Sequence, residues 1–222
     1  MKKKEKIKTI IIGFGRVAFG YNLSNKINFL THFKALKANK NFSIIGVIDP
    51  FLKSTDRIFR KYKIKKYRYL SNLKDEKPEF AIISSPTNTH VKIINEIIKN
   101  HKSIKVILCE KPFGNDYLIS KRLISLSKKN KVDIFVNYMR ISDPGVQIVK
   151  KSIKKNFIHF SKGIAFYDGE TLNQASHLVN LLQFWFGKVL KSYKIPSDKR
   201  EYKKYGINFV LEFKNLKINY LS

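Results

Sequence analysis

Ile7-Lys8-Thr9-Ile10-Ile11-Ile12-Gly13-Phe14-Gly15-Arg16-Val17-Ala18 decides how the rest of the chain is read. The run Ile7–Ile12 is rich in β-branched residues and stops at a glycine, which reads as a strand entering a turn. The turn has the form G-x-G-x-x-A. Gly13 allows the chain to reverse tightly, and Gly15 lets a pyrophosphate come close to the main chain. Ala18 permits a helix to pack against the strand. Arg16 opens that helix, whose N-terminus faces the anion. The pattern is informative because it follows the first strand and precedes further alternation of strand and helix.

That alternation continues outward. After Arg16 a helical pattern is interrupted by the polar Asn22–Asn28 and resumes over His32–Ala38. Strand patterns follow at Ser43–Ile48, Tyr67–Leu70, Phe80–Ser84, Lys105–Cys109 and Val132–Val136. Helices are predicted between them at Leu52–Tyr62, His90–Asn100 and Leu118–Lys129. Uniformly apolar strands separated by amphipathic helices predict an α/β domain over residues 1–136, a doubly wound parallel sheet covered on both faces. Residues 137–222 read differently. Helices at Gly145–Lys154 and Thr171–Phe186 accompany strand runs at Phe157–Phe166, Val189–Ile195, Ile207–Phe213 and Leu216–Leu221. Strands without alternating helices predict a second, α+β unit with a mostly antiparallel sheet.

Asp49 ends the second strand, where a carboxylate would accept hydrogen bonds from the adenosine ribose. It lies beyond the usual spacing from the glycines, and the Tyr21–Thr31 segment accounts for the excess. A carboxylate there repels a 2′-phosphate, so the pattern favours NAD; Lys53 nearby leaves NADP open. Asp49 also fits a plain turn before Pro50. The composition adds bounds. The chain has 222 residues, 43% of them apolar, enough for a packed core rather than a disordered tail. Lys+Arg number 45 against 16 Asp+Glu, a net charge of +29. The lysines are scattered, Arg is scarce, and Ile and Asn abound, so a solvated basic surface is expected rather than a nucleic-acid site. No run approaches a membrane span. The basic N-terminus lacks the apolar length and cleavage site of a signal peptide. Cys109 has no partner cysteine, which predicts a reducing, cytoplasmic setting. His32, His101 and His159 lack ligand spacing, so no metal site is predicted.

Three further segments narrow the reading: Ser85-Pro86-Thr87-Asn88-Thr89-His90 after one strand, Glu110-Lys111-Pro112 after the next, and Asn173-Gln174-Ala175-Ser176-His177 opening an apolar helix. With the glycine turn, their order resembles the Gfo/Idh/MocA oxidoreductase family, the glucose–fructose oxidoreductase and inositol dehydrogenase group. The resemblance implies a Rossmann domain, a C-terminal domain with a large open sheet, here reduced or truncated, and pairing of subunits through that sheet. It implies hydride transfer between NAD(P) and a carbinol of a sugar or nucleotide sugar. Lys111 would contact the substrate hydroxyl or tune the base, and His177 would move the proton. Asn173 stands where many relatives carry Asp; it cannot be a base and would orient substrate or histidine. Ser85, Pro86, His90 and Glu110 would meet the cofactor, and Arg140 would grip an anionic group of the substrate. Tyr167 and Asp168 lie close before the helix and would touch substrate.

The chemistry agrees without the resemblance. Hydride removal from an alcohol needs a base and a group to steady the alkoxide. Bland readings stay beside these: Lys111 as a solvated lysine, His177 as a packed helical histidine, His90 as a helix cap, Arg140 in a salt bridge. So do two other functions, a nucleotide-binding protein without turnover and a polyanion-binding protein.

Overall fold

Strands that are apolar on both sides need cover on both sides, and the first part of the chain supplies it. β1 (Ile7–Ile12) sends Ile10 and Ile12 to one face and Ile11 to the other; β4 (Phe80–Ile83) divides Ala81 and Ile83 from Ile82 in the same way. All six are buried. On the first face, α3 (Thr87–Asn100) contributes Ile94, Ile97 and Ile98, and α4 (Tyr117–Lys129) contributes Leu123. On the second, α1 (His32–Ala38) contributes Phe33 and Leu36, and α2 (Asp56–Tyr62) contributes Phe59. Each such side chain stabilises the fold by about 1.5–3 kcal/mol on full burial. These facts come from a computed structural model that describes residues 5–20, 30–51, 56–73, 76–155, 162–168, 171–196, 207–214 and 216–221, with main chain alone at 56–58 and 216–221.

The remaining strands are β2 (Phe42–Ile48), β3 (Lys65–Tyr67), β5 (Val106–Cys109) and β6 (Asp133–Val136). The sheet runs β3-β2-β1-β4-β5-β6, parallel throughout. Successive strands are added on one side of β1 up to β3 and on its other side from β4 onward, which makes the crevice beyond the carboxyl ends of β1 and β4 the switch point where open α/β sheets bind ligands. The expected strand at Tyr67–Leu70 lies earlier, at Lys65–Tyr67, and Leu70–Asn72 is a 3-10 turn. The two lysines of β3 are exposed, so no apolar pattern marks it. Helix α3 starts at Thr87 rather than His90, because Pro86 fits just ahead of the first turn. Residues 52–55 of the expected second helix lie outside the described residues.

Packing divides the chain into two units, Met1–Asn137 and Tyr138–Ser222. The second begins with a 3-10 turn at Met139–Ser142 and α5 (Pro144–Lys154), capped by Asp143. A four-stranded sheet has the order β7 (Lys162–Phe166), β10 (Leu216–Leu221), β9 (Phe209–Phe213), β8 (Lys191–Lys194). Two of its pairings are antiparallel and β10–β7 is parallel. Residues 157–161 of the expected first strand lie outside the described residues. Helix α6 (Ser176–Phe186) lays Leu182 on Leu211 and Phe213. The helix expected from Thr171 opens instead with a π-type turn, Thr171–Ala175. Trp185 Nε1 donates to the Val146 carbonyl at 3.1 Å, tying α6 to α5.

Candidate active site

Main-chain bonds hold the carboxyl end of the first sheet in one row. Asp49 N–H donates to Tyr67 O at 3.0 Å; Gly13 to Ile48, Ser84 to Ile12, Glu110 to Ile83 and Asn137 to Cys109 each do so at 2.8 Å. The residues immediately beyond the strands are therefore aligned across the sheet as Asp49, Gly13, Ser84, Glu110 and Asn137. Gly13, Asp49, Ser85, Glu110 and Lys111 of the predicted site all belong to this row or follow it directly.

At the glycine turn the sequence logic becomes geometry. Gly13 has φ +83°, and a Cβ there would lie 2.4 Å from Ser85 N. Among the described residues, no neighbouring atom stands within 4 Å of a Cβ built on Gly15, so its main chain is open on that side. That is the cradle a pyrophosphate requires, and the residues present fit a dinucleotide. Arg16 is exposed and opens a π-type turn, Arg16–Gly20, folded back on the Gly15 carbonyl. Ala18 is fully buried and acts by packing, not by ligand contact. Phe14 stacks on Phe19 at 4.9 Å and meets Phe33 edge-on at 5.9 Å, which anchors the turn to α1. Asp49 does more than expected. Its Oδ2 accepts from Phe14 N–H at 2.7 Å and Oδ1 from Phe51 N–H at 2.8 Å. The carboxylate thus braces the turn and keeps further lone pairs for a ligand.

The segment after β4 is corrected at one residue. His90 is 1% exposed, so its ring neither lines a cleft nor caps a helix. Its nitrogens lie 2.8 Å from the Ser85 carbonyl and 3.1 Å from the Pro112 carbonyl. A neutral ring donates to one of these at a time and a protonated ring to both. His90 therefore joins the Ser85 turn to the loop after β5, where the Lys111-Pro112 bond is cis. Thr89 Oγ1 donates to Pro86 O at 2.7 Å and lies 2.7 Å from Ser85 Oγ. Pro86 is exposed.

Glu110 is half-buried and well partnered. Its Oε1 accepts from Asn137 Nδ2 at 2.7 Å and lies 2.7 Å from His32 Nε2. Burial pushes the carboxyl upward, but the bonds from His32 and Asn137 outweigh it and hold the group below the usual carboxylate range. Burial, with the Glu110 charge beside it, drives the Cys109 thiol up to about 12, so this cysteine is inert packing. Lys111 is half-buried.

In the second unit, Asn173 is half-buried in the π-type turn, and half-buried His177 follows on α6. The Tyr138 ring meets the His177 imidazole edge-on at 5.7 Å. Arg140 is exposed on the 3-10 turn. The Tyr167 hydroxyl accepts from Ile207 N–H at 2.8 Å and lies 3.0 Å from Thr171 Oγ1, tying the π-type turn to the chain entering β9. Asp168 is exposed. Among the described residues no three His, Cys, Asp or Glu side chains gather as a metal site, and no helix is long and apolar enough to cross a membrane. Nothing in the sequence marked His32, Asn137, Phe14 and Tyr138 as neighbours of the predicted site residues Glu110, Asp49 and His177. Their partners lie far away along the chain or, for Phe14, beneath the turn it sits in.

A parallel doubly wound sheet with an open glycine turn at its switch point has the architecture of a dinucleotide-binding Rossmann domain. The model of the Gfo/Idh/MocA oxidoreductase family with NAD-binding Rossmann fold matches residues 7–138, and the chain belongs to that family. An uncharacterised oxidoreductase of Schizosaccharomyces pombe is 29% identical over 152 residues, covering 67% of this chain; the match spans 38% of that relative's length. The WlbA dehydrogenase of Chromobacterium violaceum, solved with NADH and UDP-GlcNAcA, superposes with a TM-score of 0.76 at 17% identity, covering 98% of this chain and 67% of that one. The WlbA dehydrogenase of Bordetella pertussis, with the same two ligands, gives 0.76 at 18%, covering 97% and 70%. These likenesses establish the fold.

Proposed function

We propose that the protein is an NAD-dependent dehydrogenase that moves a hydride between the nicotinamide and a carbinol of a sugar or nucleotide sugar. The observation that carries this reading is the aligned row, which sets the open Gly15 turn and Glu110-Lys111 on one ligand-binding end of one sheet. In this reading the first unit holds the dinucleotide. NAD supplies the hydride acceptor when bound. The Gly13–Gly15 main chain receives the pyrophosphate, and Asp49 accepts from the adenosine ribose. Ser85, Pro86 and Glu110 shape the nicotinamide end. The Lys111 ammonium steadies the alkoxide as the substrate hydroxyl loses its proton. His177 takes that proton, Asn173 orients the ring or the substrate, and Arg140 meets an anionic group. The nucleotide-sugar class is supported by the UDP-sugar that the two WlbA enzymes hold.

The test combines NADH binding, followed by its fluorescence, with turnover of UDP-GlcNAcA and a panel of other sugars and nucleotide sugars. Wild-type protein should bind NADH and exchange hydride with one of them. His177→Ala should bind NADH within about threefold of wild type, yet lose turnover by roughly 100-fold or more. Retained turnover in that variant refutes His177 as the base, and absence of NADH binding in the wild type refutes the whole reading.

A further inference from the structure

Glu110 is the meeting point of donors from three places in the first unit. His32 is the first residue of α1, and its Nε2 lies 2.7 Å from Oε1. Asn137, just beyond β6, donates to the same oxygen at 2.7 Å. The third donor is the main-chain N–H of Lys111 itself. The His32 and Glu110 side chains are only 12% and 14% exposed, so water competes weakly for these bonds. One carboxylate thus grips the peptide from which the Lys111 side chain departs, and is itself gripped from two sides. Charge-assisted bonds of this length fix orientation as well as adding energy.

We propose that His32 is a positioning residue: acting through Glu110, with Asn137 as second anchor, it fixes the main chain at Lys111 and so aims the lysine side chain. The proposal rests on the reading of Lys111 as the group that meets the substrate hydroxyl. His32 lies 78 residues from Glu110 in the chain, which is why no motif contains the pair.

The experiment is acetylation of the intact protein by limiting N-hydroxysuccinimidyl acetate, followed lysine by lysine by mass spectrometry, with NADH binding measured in parallel. In His32→Ala the rate at Lys111, relative to the mean of the other lysines, should rise about fivefold as the loop is released. Asn137→Ala should act in the same direction. His32→Gln keeps an N–H donor and should return the ratio to within about twofold of wild type. NADH affinity should stay within about threefold in all three variants. An unchanged ratio in His32→Ala overturns the proposal. A rise shared by all lysines also overturns it, because that reports general loosening, and so does a Gln variant that behaves like Ala. Failure of the wild type to bind NADH would instead defeat the dehydrogenase reading, while the labelling ratio still decides the role of His32.

Discussion

Gly13 and Gly15 share a motif but do different work. Gly13 sits at φ +83°, and its missing side chain makes room for the Ser84-Ser85 peptide. Gly13→Ala should cost more than about 2 kcal/mol in urea unfolding, from left-handed strain and a main-chain clash that cannot relax cheaply. Gly15 faces open space, so Gly15→Ala should change stability by less than about 1 kcal/mol while weakening NADH binding at least tenfold. The two measurements together separate a glycine kept for the protein from one kept for the ligand. At this scale the sequence was informative where local geometry makes the chemistry. A φ above zero and an open main chain both leave glycines in a fixed pattern. It was silent where the chemistry is made by contact across the fold. Nothing near Asp49 announces that it braces Phe14, and nothing near His90 announces two carbonyls 22 and 5 residues away.

The elements follow the same division. β1, β2, β4 and β5 were legible because each is an apolar run covered on both faces. β3 was displaced in the reading because its residues are lysines and a tyrosine at the sheet margin, where burial leaves little signature. The π-type turns at Arg16–Gly20 and Thr171–Ala175 were read as ordinary helix, since one extra residue per turn does not disturb a short apolar pattern. The joint between α1, β5 and β6 at Glu110 has a pH signature. Its carboxyl titrates below its unfolded value of 4.5, so the folded state holds fewer protons there. The stability this contributes is complete above pH 4.5 and fades as pH falls through the depressed folded value. Wild type should therefore exceed Glu110→Gln in melting temperature at pH 6–7, and the gap should close toward pH 3. A gap that is constant with pH would show that the charge on Glu110 is not what holds the joint.

The net charge of +29 belongs to the whole molecule. With 38 lysines among 45 basic residues it forms a broad field rather than a set of forked contacts, and a broad field is screened by salt. NADH affinity should weaken by about three- to tenfold between 0.02 and 0.2 M ionic strength, measured by titration at fixed pH. A flat dependence would confine the electrostatics of binding to the buried row. That row has a further consequence. Because each of its residues is pinned to the last residue of the neighbouring strand, it works as a ruler whose graduations are the strand spacing, about 4.8 Å. From Asp49 to Asn137 there are four graduations, roughly 19 Å across the sheet. The scale does not depend on the loops. A connection such as that between residues 20 and 30 can lengthen or change without moving a single mark. Selection can therefore rewrite the loops while the spacing of the row stays calibrated by the backbone alone.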